Sequence, residues 1–355
     1  MAVKQLGKEE RRYRLLVRAG YTLVLILLAL VSAGFVFVLE TKNIAFEQSS
    51  STSVPLANST NREKVELPEP FPLGVDPASQ SITENPAVEN FVELQLTSNH
   101  TTPDGVQGFF QGVLAELSKF EWYQNLASPS TRTLVVRSGE RVEEVSENFG
   151  HILGWNRNER NTFRELVASS TPKMDEGKLY AGTYVVPKGT DPEFIATLVI
   201  DRFDSEIRSR YTPDIEKKVP LEQALIIASL IEREAYDFTD MRYIAGIIWN
   251  RLFIDMPLQL DASLQYAKGS QLNQPWWPKV VPDDKYIKSP YNTYKNTGLP
   301  PGPIANPSID AIVAALNPRE TDCMFYFHDS RSGFHCSPTY EGHVALLRKY
   351  YGRGK

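Results

Sequence analysis

The chain has 355 residues, of which 42% are hydrophobic and 23% are charged, and it contains two cysteines. At about 150 residues per domain, this length allows two folded units plus additional segments. The composition excludes a wholly disordered, collagen-like or disulfide-dense protein. The formal net charge is −5, and because the N-terminus is basic the rest of the chain is acidic, which argues against a nucleic-acid-binding protein.

An uncharged run at residues 19–39 follows a basic stretch at residues 1–18. At about 1.5 Å per helical residue the run spans roughly 30 Å, the thickness of a membrane's hydrocarbon core. It predicts a single-pass transmembrane helix in the cell membrane, with the N-terminus cytoplasmic and the C-terminal part extracytoplasmic. Val31, Ser32 and Ala33 resemble a signal-peptidase site, so a cleaved signal peptide is the alternative, and it too exports the chain.

Residues 40–130 are predicted to form an extracytoplasmic tether. The part up to about residue 87 is rich in Ser, Thr, Asn, Pro and Glu and lacks apolar periodicity. Apolar residues at helical spacing in 104–126 predict either a packing helix or a further part of the tether.

Residues 131–190 follow a β-α-α-β pattern. The predicted elements are a strand at Thr133–Val136, helices at Val142–Phe149 and Asn161–Ala168, and a strand at Tyr180–Val186. A unit of this size is typical of a small binding module, and a generic α+β subdomain fits the same pattern. Residues 191–355 predict a mixed, mainly helical domain that ends in a β-hairpin, so the predicted fold class is α+β.

The segment Leu221–Tyr236 predicts a helix that is apolar around nearly its whole circumference, and such a helix belongs in a core. Glu232 and Glu234 fall among its apolar positions. Burial raises the pKa of a carboxyl group, as a general acid working near neutral pH requires. The alternative is that one or both glutamates form structural ion pairs with a nearby arginine, and angular position does not choose between the two. These arginines are Arg233, Arg242 and Arg251. The next helix is predicted to begin near Thr239 or Asp240.

Polar and aromatic residues fill the stretches 256–266, 289–294 and 298–304, which we predict to be loops. Amide and hydroxyl groups match the hydroxyls of a sugar, and aromatic rings stack on pyranose faces. These loops therefore predict a saccharide-binding cleft. Trp276 and Trp277 either add stacking surface to it or fold onto the domain.

Near the C-terminus, potential metal ligands have spacings that match no familiar metal site, so we predict no metal and no other cofactor. These residues are His328, Asp329, His335, Cys336 and His343. Residues 323–327 and 334–336 show strand-like alternation on either side of 329–333, and this pattern predicts a β-hairpin. Pairing Phe325 with Phe334 places Cys323 opposite Cys336, which predicts a disulfide.

Five separated motifs resemble, in order and spacing, those of the endolytic murein transglycosylase, or YceG-like, family. They are Ala228–Glu234, Asn250–Leu252, Met256–Asp261, Tyr291–Tyr294 and Gly298–Ile304. The resemblance implies a membrane anchor, a LysM-like module at residues 131–190 and a catalytic domain at residues 191–355. It further implies that the enzyme cuts inside nascent peptidoglycan glycan strands, and that the second glutamate of the Glu-x-Glu motif, Glu234, is the catalytic acid.

The reaction that the resemblance implies needs one carboxyl group. Glu234 protonates the glycosidic oxygen between N-acetylmuramic acid and N-acetylglucosamine, then accepts the proton of the muramoyl C6 hydroxyl as a 1,6-anhydro ring closes. A hydrolase would need a second carboxylate, for which Asp261 or Glu232 is available. We expect the substrate-binding residues to be Gln259, Asp261, Tyr291, Asn292, Tyr266 and Glu232.

The sequence departs from the family pattern in two places. Ala235 replaces the threonine usual after the second glutamate, and Phe334 occupies the position of a usual histidine, with His335 displaced by one residue. In a strand, that displacement turns the imidazole to the opposite face. These departures favour the alternative function of a catalytically weak peptidoglycan-binding scaffold. The expected partners are glycan strands, the membrane and peptidoglycan synthases or division proteins, and no nucleic acid.

Overall fold

The computed structural model describes residues 69–85, Val88 and 130–352. The predicted membrane helix at 19–39 and the segment 104–126 lie outside these residues. Nearly all of the described residues belong to one compact unit. They form a mixed α+β fold, mainly helical with three two-stranded sheets, which confirms the predicted fold class. No helix in this part of the chain combines the length and apolar character that crossing a bilayer requires.

Residues 69–85 pack against the larger part of the fold. They contain two short antiparallel strands, β1 (Val75–Asp76) and β2 (Ser81–Ile82). Phe71 is buried in the main core, and the Gly74 amide donates a hydrogen bond to the Leu316 carbonyl oxygen at 2.9 Å. The structure therefore differs from the predicted tether over these residues, because their apolar side chains have partners in the core.

Residues 131–187 form the predicted β-α-α-β unit. Its elements are β3 (Thr131–Val136), α1 (Val142–Leu153), α2 (Arg157–Ser169) and β4 (Gly182–Pro187), and β3 pairs with β4. In its core, the ring centroids of Phe149 and Phe163 lie 5.8 Å apart. Helix α3 (Pro192–Glu206) leads out of the unit. Its Ile195 packs in this core and its Phe203 in the next, so one helix joins the two cores.

Helix α5 is the central helix of the larger core. The helices of this region are α4 (Pro213–Lys218), α5 (Leu221–Glu234), α6 (Phe238–Phe253), α7 (Asp261–Gly269) and α8 (Ile309–Leu316). Helices α6, α7 and α8 all pack on α5. Every residue from Ala224 to Ile231 is buried, as the all-round apolar pattern predicts. Helix α7 occupies the second half of a stretch predicted as a loop.

Two predicted helix boundaries are wrong by a few residues. Helix α5 ends at Glu234 rather than Tyr236, because Ala235 has extended backbone with φ −92° and ψ 153°. Helix α6 begins at Phe238, where the carboxylate of Asp237 caps the helix by accepting a hydrogen bond from the amide of residue 240 at 2.9 Å. The chain therefore turns immediately after Glu234, which leaves this side chain at the end of a helix.

The last described elements are β5 (Phe325–His328), β6 (Phe334–Ser337) and α9 (Tyr340–Tyr351). The predicted hairpin is confirmed, but its predicted register is wrong. Phe325 lies opposite Ser337 rather than Phe334, and Tyr326 lies opposite Cys336. The Asp329 carboxylate accepts hydrogen bonds from two amides of the turn, at 2.8 and 3.1 Å, and so stabilises the turn at residues 329–333.

The predicted disulfide between Cys323 and Cys336 is present, with Cα atoms 5.8 Å apart. Cys323 precedes β5, and the Met324 amide donates to the Ser337 carbonyl oxygen at 2.9 Å. The disulfide therefore closes the base of the hairpin instead of joining two directly paired positions.

Candidate active site

The carboxyl group of Glu234 lies where three elements meet. Glu234 is the last residue of α5 and is half-buried. The amide of Ala262, in the first turn of α7, donates to its Oε1 at 3.1 Å, and the hydroxyl of Tyr326 in β5 donates to its Oε2 at 3.0 Å. The N-terminus of α7 also carries the positive end of the helix dipole, which favours a carboxylate. Each carboxyl oxygen thus has one fixed donor from a different element.

Burial raises the pKa of Glu234 to about 7 and is the largest influence on it. The Asp261 carboxylate raises this pKa further, whereas the hydrogen bonds from Ala262 and Tyr326 and the charge of Arg233 lower it. A group whose pKa lies near the working pH can both give and take a proton. Glu234 is therefore suited to act as a general acid and then as a general base.

Asp261 and Tyr294 form a second polar pair at this site. Asp261, the first residue of α7, is exposed, and its Oδ1 accepts a hydrogen bond from the Tyr294 hydroxyl at 2.7 Å. Burial raises the pKa of Tyr294 above its ordinary value, and the bond to Asp261 raises it further, so the hydroxyl stays protonated. Sequence reasoning names Asp261 but misses Tyr294, although Tyr294 closes one of the five motifs.

Gln259 is exposed immediately before α7, with a positive φ of 52°. Its amide donates to the Thr293 carbonyl oxygen at 3.0 Å, and the Leu260 amide donates to the Thr293 hydroxyl at 3.0 Å. These bonds fix the two motif loops to each other. Two of the predicted residues, Gln259 and Asp261, therefore flank the N-terminus of α7 at the surface.

Three of the other predicted residues, Tyr266 in α7 and Tyr291 and Asn292 in a motif loop, lie deeper. Tyr266 is buried, with its ring 4.6 Å from that of the half-buried Tyr291 and with the Arg141 guanidinium 3.9 Å from its centroid. Asn292 is fully buried, and its amide nitrogen donates to two backbone oxygens of its own loop, at 3.0 and 2.8 Å. In this structure the contacts of Tyr266 and Asn292 are to neighbouring parts of the protein, and direct contact of these side chains with substrate stays a prediction.

Glu232 has a different environment from Glu234. Its Oε2 accepts hydrogen bonds from the Ser308 amide at 3.0 Å and from the Ser308 hydroxyl at 2.6 Å. Ser308 is the N-cap of α8. Glu232 thus ties the end of α5 to the start of α8. The contact that separates the two glutamates comes from a residue more than 70 positions further along the chain, which explains why the helix pattern did not distinguish them.

Trp277 folds onto the domain, which answers the question left open by the sequence. Its Nε1 donates to Glu144 Oε2 at 3.0 Å, and the Arg233 guanidinium lies 3.9 Å from its ring centroid. Glu144 belongs to α1, so this contact joins the β-α-α-β unit to the residue next to Glu234. Burial lowers the pKa of Arg233 from its ordinary value, and the surrounding carboxylates oppose that shift.

Arg251 is buried and donates hydrogen bonds to backbone carbonyl oxygens, whereas the sequence suggested it as an ion-pair partner of a glutamate. Its Nε donates to the Met324 carbonyl oxygen at 2.7 Å and its Nη1 to the carbonyl oxygens of Pro257 and Leu258 at 3.2 and 2.5 Å. It therefore fixes the loop before α7 to the chain entering β5. These two segments lead directly into α7 and β5, which supply the donors to Glu234.

Phe334 and His335 lie on opposite faces of β6, as the displacement predicts. The Phe334 ring stacks on Tyr326 with centroids 5.9 Å apart. The His335 Nε2 lies 2.9 Å from Asp329 Oδ2, and its ring centroid lies 3.9 Å from that of Tyr350. The described residues hold no group of three or more metal-ligating side chains.

Comparisons with known proteins identify the family of this chain. Residues 80–349 match the model of the YceG-like family. An endolytic murein transglycosylase of Bacillus subtilis is 37% identical over 176 residues, which cover 49% of this chain and 48% of that protein. Another from Streptococcus pneumoniae is 29% identical over 231 residues, which cover 58% of this chain and 42% of that protein. The chain thus spans about half the length of the curated relatives it matches.

A solved structure is also similar. The crystal structure of a yceG-like protein from Listeria monocytogenes matches with a TM-score of 0.53 and 29% sequence identity, covering 60% of this chain and 75% of that chain. The family match includes α5, the motif loops around α7 and the hairpin. The resemblance drawn from the five motifs is confirmed, and the chain belongs to the YceG-like family.

Proposed function

We propose that this protein is a membrane-anchored endolytic lytic transglycosylase. It cleaves the β-1,4 bond between N-acetylmuramic acid and N-acetylglucosamine inside nascent peptidoglycan strands and leaves 1,6-anhydro ends. The observation that carries this proposal is the half-buried Glu234, whose pKa is raised to about 7 and whose two carboxyl oxygens each accept one hydrogen bond. The names of the curated relatives, endolytic murein transglycosylases, support the same class of substrate.

One carboxyl group is sufficient for this reaction. A carboxyl oxygen that accepts one hydrogen bond keeps a second lone pair, so Glu234 can carry its proton towards the substrate. The proton moves to the glycosidic oxygen as the bond from that oxygen to muramoyl C1 breaks, and N-acetylglucosamine leaves as an alcohol. The Glu234 carboxylate then removes the proton from the muramoyl C6 hydroxyl as O6 bonds to C1. The acid is regenerated and no water is consumed.

The surroundings of the other two carboxylates support a single-acid mechanism. Glu232 already accepts two hydrogen bonds from Ser308, at the start of α8. Asp261 accepts the Tyr294 hydroxyl at 2.7 Å and is exposed beside the acid. We propose that Asp261, Gln259 and Tyr291 orient the sugar, and that Asp261 is the carboxylate to examine if the enzyme turns out to be a hydrolase.

The proposal assigns a role to each segment. Residues 19–39 anchor the protein in the cell membrane, residues 1–18 lie in the cytoplasm, and residues 131–190 act as a LysM-like module that contacts glycan. The catalytic domain, residues 191–355, works outside the cell membrane. Peptidoglycan synthases or division proteins are proposed as partners at the site of wall synthesis.

A second candidate function is a catalytically weak, peptidoglycan-binding scaffold. It is favoured by Ala235, which offers no hydroxyl next to Glu234, and by Phe334, which places a ring without polar atoms beside Tyr326. This candidate keeps glycan binding and predicts no bond cleavage.

Digestion of purified glycan strands distinguishes these functions. The full chain in detergent is compared with Glu234→Gln and with the matched control Glu232→Gln, and the products are identified by mass spectrometry. We expect anhydro-ended products from the wild type and from the control, because glutamine at 232 still accepts a hydrogen bond from Ser308. We expect none from Glu234→Gln.

Other outcomes contradict the proposal in distinct ways. Products with reducing ends identify a hydrolase. Glycan binding without products from the wild type identifies the scaffold. Anhydro products from Glu234→Gln at the wild-type rate show that another residue is the acid.

A further inference from the structure

Tyr326 is the side chain of the hairpin that touches the acid, with its hydroxyl 3.0 Å from Glu234 Oε2. Three features fix this side chain. Its ring stacks on Phe334 with an interplanar angle of 21°, its backbone lies opposite Cys336 in the paired strands, and Cys336 is joined to Cys323 at the base of the hairpin. The hydroxyl is thus held in place by a covalently closed hairpin and not by a free loop.

The hydroxyl can act only as a donor towards a carboxylate at this position. Burial raises the pKa of Tyr326 well above its ordinary value, and the neighbouring Glu234 raises it further. Other charged or titratable groups near this pair are Arg233 from α5, Arg251 from α6, Asp261 from α7 and Tyr294 from the adjoining loop. On the hairpin itself, the ring of His328 lies 6.3 Å from that of Tyr326, and its Nε2 lies 2.8 Å from Asp240 Oδ2. Tyr294 is bonded to Asp261 rather than to Glu234, so the two tyrosines serve different carboxylates.

The two donors to Glu234 bind different oxygens of its carboxyl group and belong to different elements. The Ala262 amide holds Oε1 and belongs to the rigid start of α7, whereas Tyr326 holds Oε2 from the hairpin. Two fixed donors define the plane of the carboxyl group. A donor to a carboxylate also stabilises the charged form more than the neutral form. Phe334 has no polar atom, so it contributes to this contact only by packing on the tyrosine ring.

We propose that Tyr326 is a positioning residue for the transglycosylase reaction: its hydroxyl orients the Glu234 carboxyl group and stabilises the carboxylate that must take the proton of the C6 hydroxyl. This inference rests on the proposed function. It assigns to the disulfide-closed hairpin a part in the chemistry, because the hairpin carries the residue that fixes the acid.

The test is the Tyr326→Phe variant of the full chain, assayed on glycan strands across pH. The ring and its stacking are kept and only the hydroxyl is removed. We expect kcat to fall by about 10- to 100-fold near neutral pH, as for the loss of a hydrogen bond to a charged group, with KM changed by less than about twofold. Because one influence that lowers the pKa of Glu234 is lost, we also expect the alkaline limb of the pH profile to move to higher pH.

The matched control is Tyr184→Phe. Tyr184 is a buried tyrosine of β4 whose hydroxyl donates to the Tyr180 carbonyl oxygen at 2.7 Å, away from the acid. We expect it to lose stability without a change in the pH profile. A Tyr326→Phe profile that coincides with that of the control overturns the proposal.

A second measurement needs no turnover and so separates this inference from the proposed function. The carboxyl carbons of glutamate are labelled with ¹³C, and the Glu234 signal is identified by its loss in Glu234→Gln. We expect its titration midpoint to be higher in Tyr326→Phe than in the wild type. Equal midpoints overturn the role of Tyr326, whereas a shifted midpoint in a protein that cleaves no glycan overturns the proposed function and leaves the contact established.

Discussion

Two regions of the described structure surround charged side chains in different ways, the interface between the β-α-α-β unit and the larger core, and the candidate active site at Glu234. At the interface, Arg141 is 1% exposed and donates to the carbonyl oxygens of Trp276 and Tyr266, both at 3.2 Å, and to the Ser270 hydroxyl at 2.6 Å. At the candidate active site, Glu234 is half-buried and each of its carboxyl oxygens accepts one hydrogen bond. The Arg141 contacts join two parts of the fold, whereas the position of Glu234 leaves the proton of its carboxyl group accessible from the solvent.

A raised carboxyl pKa is common to both regions. Glu176 is 2% exposed, and burial raises its pKa well above its ordinary value, with a further contribution from Glu143. Its Oε2 accepts the amide of Val142 at 2.8 Å. Glu234 also has a raised pKa, yet only Glu234 reaches the surface. Burial alone therefore does not identify a catalytic acid, because the carboxyl group must also be accessible from the solvent.

Replacing Glu234 is expected to have a much larger effect on activity than replacing Glu176. Glu234→Gln is expected to lower the rate of glycan cleavage by about 10³-fold, because the general acid is lost. Glu176→Gln removes a carboxyl group whose pKa burial also raises, and it is expected to keep nearly the wild-type rate. Initial rates of the two folded variants test this contrast, and an equal loss in both would contradict it.

The next effect concerns the interface. Arg141→Met is expected to lower the free energy of unfolding by about 3–4 kcal/mol, because buried carbonyl oxygens lose their donors. The control Arg137→Met removes a partly exposed arginine that lies 3.3 Å from Glu140, and is expected to cost less than about 1 kcal/mol. Denaturant unfolding measures both values, and similar costs would show that the interface does not depend on Arg141.

The pH dependence of the free energy of unfolding reports the pKa of Glu234. The pKa of Glu234 is raised from 4.5 to about 7, so its contribution to stability is fully present below pH 4.5 and is lost as the pH rises through about 7. Glu234→Gln carries no charge at any pH. Relative to the wild type it is therefore expected to gain up to about 3 kcal/mol between pH 4.5 and 8. Unfolding curves at several pH values test this, and a constant difference would show an unshifted pKa.

Removing the disulfide of the hairpin is expected to have the smallest effect, a modest loss of stability. Cys323→Ser combined with Cys336→Ser is expected to lower the free energy of unfolding by about 2 kcal/mol, since the bond closes a short loop of the unfolded chain. The single variant Ser332→Ala in the same turn is the control. The comparison is made on oxidised protein by thermal unfolding, and equal midpoints for wild type and double variant would contradict the expected contribution.

Local patterns predicted those parts of the structure that depend on local contacts. The β-α-α-β order follows from apolar periodicity within each segment, and the all-round apolar pattern placed α5 in the core. The fold class and family followed from these elements and the five motifs. Helix boundaries shifted by a few residues where a single side chain, such as Asp237, sets the cap.

The remaining features depend on contacts between distant residues. Glu232 and Glu234 are distinguished by Ser308 and Tyr326, which lie far along the chain. Tyr326 was missed because the hairpin register depends on the turn closed by Asp329, and the predicted register was three residues off. The buried position of Asn292 and its hydrogen bond to its own loop were not predicted, because a sequence motif does not show which contacts a polar side chain makes within the fold.

The most direct test of the account is glycan digestion in ¹⁸O-labelled water by the wild type and by Glu234→Gln. We expect every new muramoyl end made by the wild type to be a 1,6-anhydro end without ¹⁸O, and we expect Glu234→Gln to make none. Incorporation of ¹⁸O at the new muramoyl C1 would contradict the account, because water and not the C6 hydroxyl would then be the nucleophile.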